Sequence, residues 1–279
     1  MEKMFTVEKR FPYSAKTPVG EYGWTCGSTE NMPLFKALPW AVSQGIPLHE
    51  LDGAILIRAG LHEAQKRDPS VSLDGSNLYQ IVNTLSVARR SKNGWTISYC
   101  KLPNSEESVN LAEEGYNLNR NDKQLILPLE NAVVREMIDE AQARGRVAPA
   151  LDSSPLKLDL QSDYECNPHM IAAFGGKKHG KNVAAVNATY LKDRNCDYGY
   201  LWQLTIADLD KILPKDDSRA ETHALIRRVG LGGVSCSGII SVGVVAGNYF
   251  SDGGRARGGT VVAREISSGN KGRLVRSAK

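Results

Sequence analysis

No apolar run in this 279-residue chain approaches the ~20 residues that a membrane-spanning helix needs; the longest, such as Ile239 to Ala246, fall far short. The first twenty residues have charges spread through them and so lack the apolar core of a secretory leader. Both absences predict a cytoplasmic protein. Cysteine is sparse and odd in number. Cys26, Cys100, Cys166, Cys196 and Cys236 share no repeated spacing, which argues against a secreted disulfide framework and for reduced thiols. Gly-x-Ser-x-Gly, His-Glu-x-x-His and a Gly-x-Gly-x-x-Gly turn set between strand and helix are all missing, so the common nucleophile, metalloprotease and dinucleotide signatures are excluded. Cys166-x-x-His169, with His179 and Cys196 downstream, has intervals too irregular for a zinc site. The expectation is no metal and no cofactor.

A net positive balance is lacking except at the end. Gly253 to Lys279 carries seven basic side chains against one acid, Glu265, a local net charge of +6. The preceding 252 residues hold 28 basic and 30 acidic side chains, so nearly all of the chain's net +4 comes from its last tenth. Clustered Lys and Arg release condensed counterions on meeting phosphates, which points to a polyanion and most directly to nucleic acid.

The remaining composition, 41% hydrophobic and 24% charged, suits a folded globular protein with a sizeable core. Periodicity predicts a helix from Pro47 to about Arg67 and a second one after Asp74, with Leu78, Ile81, Val82 and Leu85 on one face and Asn93-Gly94 as its stop. Trp95 to Leu102 and Gln124 to Leu129 read as strands, and Asn104 to Asp122, rich in Asn, Glu and Ser, reads as an exposed loop. Glu130 to Ala143 is an amphipathic helix closed by Gly145. Leu156 to Leu160, Met170 to Phe174 and Tyr198 to Ile206 read as strands; Ser218 and Glu221 form a capping-box pair that predicts a helix to about Val229, with His223 inside it.

Beyond that helix, 12 of the 26 glycines fall between Gly230 and Gly272, which favours strands at Gly238 to Ala246 and Thr260 to Ile266 joined by a glycine-rich basic loop. The fold class is therefore α+β, a mixed α/β chain with an antiparallel or mixed sheet, packed helices and a basic glycine-rich C-terminal tail. The linker-like Ala148 to Pro155 divides residues 1–150, a mixed helix and strand unit, from residues 151–266, a strand-rich unit. Residues 267–279 form a basic tail expected to order on binding.

Two segments carry the candidate chemistry. Gly175-Gly176-Lys177-Lys178-His179-Gly180-Lys181 matches the first seven positions of the phosphate-binding pattern G-x-x-x-x-G-K, but Asn182 stands where that pattern needs Ser or Thr for magnesium. It reads either as a basic loop that binds phosphates through Lys177, Lys178 and Lys181 without a metal, or as a solvated turn. In Ser251 to Thr260, glycines flank Arg255 and Arg257, so backbone and guanidiniums can both approach a sugar-phosphate chain. Arg264, Lys271, Arg273 and Arg276 extend the basic set, and Tyr249 and Phe250 offer a stacking face for an unpaired base, or else simply fill the core.

The glycine-rich runs Gly230 to Gly238 and Gly253 to Gly259 resemble the C-terminal loops of RAMP-superfamily proteins, the RNA-binding subunits of CRISPR effector complexes. That resemblance, which covers about a tenth of the chain, implies a ferredoxin-like core whose loops hold RNA backbone. The leading expectation is a non-enzymatic nucleic-acid-binding protein, for RNA or single strands, working as a subunit of a larger assembly with other proteins. Two readings stand beside it: an enzyme using Gly175 to Asn182 on a nucleotide or phosphorylated substrate, and a phage-type assembly protein whose basic tail contacts a neighbouring subunit.

Overall fold

The computed structural model describes residues 5–6, 13–17, 20–24, 27–32, 35–36, 38–39, 50–70, 80–119, 121, 123–236, 239–247, 254–258 and 261–264. In chain order its elements are β1 (Phe5–Thr6), β2 (Tyr13–Thr17), β3 (Gly20–Trp24), β4 (Gly27–Met32), α1 (Leu51–Arg67), β5 (Gln80–Ser91), β6 (Gly94–Lys101), α2 (Glu106–Asn119), β7 (Leu125–Pro128) and α3 (Ala132–Arg144). There follow β8 (Val147–Pro149), β9 (Leu156–Asp159), α4 (Pro168–Ala173), α5 (Lys177–Asp193), β10 (Tyr198–Trp202), α6 (Ile206–Ile212), β11 (His223–Cys236), β12 (Ile239–Gly247), β13 (Gly254–Gly258) and β14 (Val261–Arg264).

Eight strands form one sheet in the order β8-β6-β5-β11-β12-β10-β9, with β7 pairing the first residues of β11. All pairs are antiparallel except β10 with β12, so the sheet is mixed. It draws strands from both sides of Ala150. Helices cover both faces. Ile97, Tyr99, Leu201, Leu225 and Val229 pack with α1, α4, α5 and α6 in one core, while Leu85, Val87, Cys100, Ala224 and Ile226 pack with α2 and α3 in the other. The α+β class expected from the sequence is the one observed. The ferredoxin-like order implied by the resemblance is not established by this sheet.

Burial on both faces explains two corrections. Gln80–Ser91 is a strand, not a helix, and it meets β6 across a tight turn at Lys92-Asn93, with Ser91 opposite Gly94 and Gly94 at φ 103°. Asn93-Gly94, read as a helix stop, is that hairpin turn. His223–Cys236 is likewise a strand, and Ser218 and Glu221 lie in the turns before it instead of capping a helix. In both strands neighbours feed opposite cores, Val87 and Ala88 in the one and Leu225 and Ile226 in the other, so polar alternation is missing there and chance i, i+3, i+4 matches imitate a helix.

Three further segments differ from expectation. Residues 106–119 are helical, not a loop. Ser105 Oγ accepts the Ser108 N–H at the start of α2, and the buried face is Ser108, Leu111, Ala112 and Gly115, a stripe at helical spacing that is mostly small or polar. Met170 to Phe174 belongs to α4, not a strand, because Asn167 caps it through the N–H groups of His169 and Met170 and Pro168 opens its first turn. Gly254–Gly258 is a strand paired with β4, so Arg255 and Arg257 do not sit in a free loop. By contrast α3 is as predicted. Asn131 accepts from Val133 and Val134, the apolar stripe is buried, and Gly145 closes the helix at φ 69°.

The chain's two ends meet in two smaller sheets, β1-β4-β13 and β14-β3-β2. Within the second, Glu21 of β3 stands directly opposite Arg264 of β14 on one side and Lys16 of β2 on the other. β2 also lies against α1 and α5.

Candidate nucleic-acid interface

The glycine pair before α5 is built for packing. A Cβ on Gly176 would lie 2.1 Å from the Arg144 carbonyl oxygen, and one on Gly175 would lie 2.5 Å from Cδ2 of His179. The N–H groups of Gly175, Gly176 and Gly180 donate to the carbonyls of Ala172, Ile171 and Gly176. A phosphate cradle needs such N–H groups aimed outward, and the element before the turn is a helix where the pattern requires a strand. Lys177 Nζ donates to the Ala143 carbonyl, which fastens α5 to the end of α3. Of the three predicted lysines, Lys178 and Lys181 stand exposed.

Beside this turn lies a charged cluster. His179 Nε2 pairs with Asp52 Oδ2 at 2.7 Å. Burial opposes the Asp52 charge, but the hydrogen bond and charge of His179, the Gly53 N–H and Arg146 hold its carboxyl below the usual aspartate value. Arg146, fully buried, bonds Glu50. Asp52 Oδ1 also accepts the Gly53 N–H at 2.7 Å. No group of three His, Cys, Asp or Glu side chains able to hold a metal occurs among the described residues; Cys166 is exposed, and Cys100 and Cys196 are buried. His223 lies on β11, opposite Pro128 of β7, with its Nδ1 2.9 Å from Thr222 Oγ1.

Of the predicted C-terminal residues, Arg255 and Arg257 lie on β13 and Arg264 on β14. Tyr249, Phe250, Lys271, Arg273 and Arg276 fall outside the described residues.

The structure adds a feature that the sequence reading passed over. β10 reads Tyr198-Gly199-Tyr200-Leu201-Trp202, and alternate residues of a strand share a face. Leu201 is fully buried among α5 and its neighbours, and a Cβ on Gly199 would sit 2.1 Å from the Tyr164 ring. That face is the core, so Tyr198, Tyr200 and Trp202 form a row on the other one. Tyr198 is 38% exposed, the large apolar side chain most open to solvent among the described residues. Tyr200 and Trp202 are partly exposed, with ring centroids 5.5 Å apart and planes 36° apart. Lys157 of β9 holds its ammonium 3.6 Å from the centre of the Tyr198 ring, a cation–π contact.

Beside the middle of this row the ladder lacks Cβ atoms. Level with Tyr200 in the ladder stand Lys157 on one side and, on the other, Gly243 of β12 and then Gly232 of β11. Beneath the row the support is stiff. Tyr164, under Gly199, accepts a hydrogen bond from Asn187 Nδ2, and Asn187 Oδ1 accepts from Arg58 at 2.6 Å. Gln203, the next residue after the row, is buried and donates through Nε2 to the Tyr99 hydroxyl at 2.9 Å. Aromatic faces on a rigid sheet, a lysine among them and a backbone strip without Cβ atoms make a surface suited to stacking planar rings beside phosphates.

No family model, curated protein or solved structure matches the chain. Among the described residues no helix is long and apolar enough to cross a membrane.

Proposed function

We propose that this protein binds nucleic acid, with RNA or single strands as its ligands, and that its role is binding and not catalysis. The observation that carries this reading is the row Tyr198, Tyr200 and Trp202 with Lys157 among its rings. Two features support it. The glycine-bearing strands β11 and β12 continue the surface beside that row, and the C-terminal segment concentrates positive charge. Stacking and phosphate contact then come from separate parts of the chain. The rival phosphate-cradle reading loses support because the glycine N–H groups at 175, 176 and 180 already serve the protein's own carbonyls.

The test is fluorescence anisotropy with labelled 12-nucleotide RNA and DNA strands at 50 and 200 mM salt. About six phosphate contacts from the C-terminal region would weaken single-strand binding roughly 300-fold across that range. Replacing Lys271, Arg273 and Arg276 together with Glu should flatten the salt dependence. Charge reversal is preferable to deletion after Asp252, which would also remove β13 and β14 from their sheets. Absence of binding to every strand at 50 mM salt would refute the proposal.

A further inference from the structure

Resting on that reading, the geometry points to one form of ligand: an extended, unpaired strand that lays one base on each ring of the β10 row, three nucleotides in all. A strand advances about 3.4 Å per residue, so alternate backbone positions recur about every 6.8 Å, and the Tyr200 and Trp202 ring centroids stand 5.5 Å apart. A nucleic-acid strand in a helical stack advances only about 3.4 Å per nucleotide. Neighbouring rings therefore match neighbouring bases only when the strand is drawn out to about one and a half times its helical rise or more. A duplex, held at the shorter rise with its base faces already stacked, has no face to offer.

The ring geometry also fixes how the bases sit. A base inserted between two rings needs them about 7 Å apart, two stacking distances of about 3.4 Å. Tyr200 and Trp202 are 5.5 Å apart and tilted by 36°, too close to admit one. Bases must lie on the outward faces instead. Beside Tyr200, the glycines at 243 and 232 leave the ladder without a Cβ, so a sugar can settle against backbone. Over Tyr198 the Lys157 ammonium stands where the first base would stack; its flexible stem lets it exchange the ring for the adjacent phosphate. Recognition by ring faces discriminates little among bases and little between ribose and deoxyribose.

The experiment compares the intact protein's affinity for a mixed-sequence 12-nucleotide RNA, the same DNA sequence, the corresponding duplex, and strands with three consecutive abasic positions. Tyr200→Leu and Trp202→Leu keep apolar bulk on the strand while removing the aromatic face, and unchanged thermal midpoints establish that both fold. RNA and DNA single strands should bind within a few-fold of each other, the duplex at least tenfold more weakly, and each Leu variant or the abasic strand about tenfold or more weakly. Trp202 emission should be quenched on binding, and the quench should vanish in Trp202→Phe while affinity is largely kept. Lys157→Gln should lower the salt slope by about one. Single-strand binding that is unaffected by both Leu variants, or duplex binding as tight as single-strand binding, overturns this inference and leaves the broader function standing. No binding to any strand overturns the function itself.

Discussion

Removing Glu50 should cost this fold more than most single substitutions, because of what it leaves behind. Arg146 is fully buried, and its Nη1 donates to Glu50, which is itself only 12% exposed. Its Nε and Nη2 have no hydrogen-bond partner among the described residues. Burial disfavours the guanidinium charge, but Glu50, through charge and hydrogen bond, together with Asp52, raises the Arg146 pKa above its usual value. Glu50→Ala strands that cation in the core with its nearest counter-charge gone, and breaking a buried pair from one side costs about 3–5 kcal/mol. That is a large share of the roughly 5–15 kcal/mol by which domains are stable. For a chain of this size it lowers the melting midpoint on the order of 10 °C.

Removing both charges should behave differently. Glu50→Leu with Arg146→Met leaves no isolated cation, and its stability should return to within about 1 kcal/mol of wild type. Scanning calorimetry on the wild type, Glu50→Ala, the single variants Glu50→Leu and Arg146→Met, and the double variant decides the matter. A Glu50→Ala midpoint within 2 °C of wild type, as an order-of-magnitude threshold, or a double variant as unstable as the two single losses added, would refute the reasoning.

Gly176→Ala should destabilise the protein by more than the about 1–3 kcal/mol charged for a backbone conformation that side chains avoid, since Gly176 has φ 77° and its added Cβ would also strike the Arg144 carbonyl at 2.1 Å. Gly94→Ala, at φ 103° with nothing within 4 Å, isolates the backbone cost, so equal urea midpoints for the two variants would contradict the packing argument. Asp217 accepts from the Arg219 side chain and backbone N–H, which hold its pKa at about 2 against an ordinary 3.8. Because the folded value is the lower one, the stability from this group is complete above pH 3.8 and is lost as the pH falls through about 2. Carbon-13 titration should show that depressed midpoint, and Arg219→Gln should move it toward 3.8; a wild-type midpoint already at 3.8 would contradict the contact.

How much of this was legible in the sequence depends on where each element sits. α3 was readable throughout, because one face meets solvent and both ends carry side-chain or glycine caps. β5 and β11 were not, because a central strand with helices on both sides has no polar face to set the period. α2 hid behind a buried stripe whose members, Ser108, Ala112 and Gly115, do not register as apolar. Tyr-x-Tyr-x-Trp was visible on β10 as an alternating pattern. Nothing local says that the tyrosines face outward, though, since that follows from Gly199 closing on Tyr164, a residue from a different part of the chain. The basic end was evident from composition alone, whereas the pairing of Arg264 opposite Glu21 is set by tertiary register.

That register also bears on biosynthesis. β3 and β4 take β14 and β13 as partners, strands more than 200 residues further along the chain. Neither small sheet can be completed until both of its distant segments have been made. One edge of β3 and one of β4 must therefore wait unpaired while the intervening chain is synthesised, and the loops that finally close them carry an entropic cost that grows only slowly with their length.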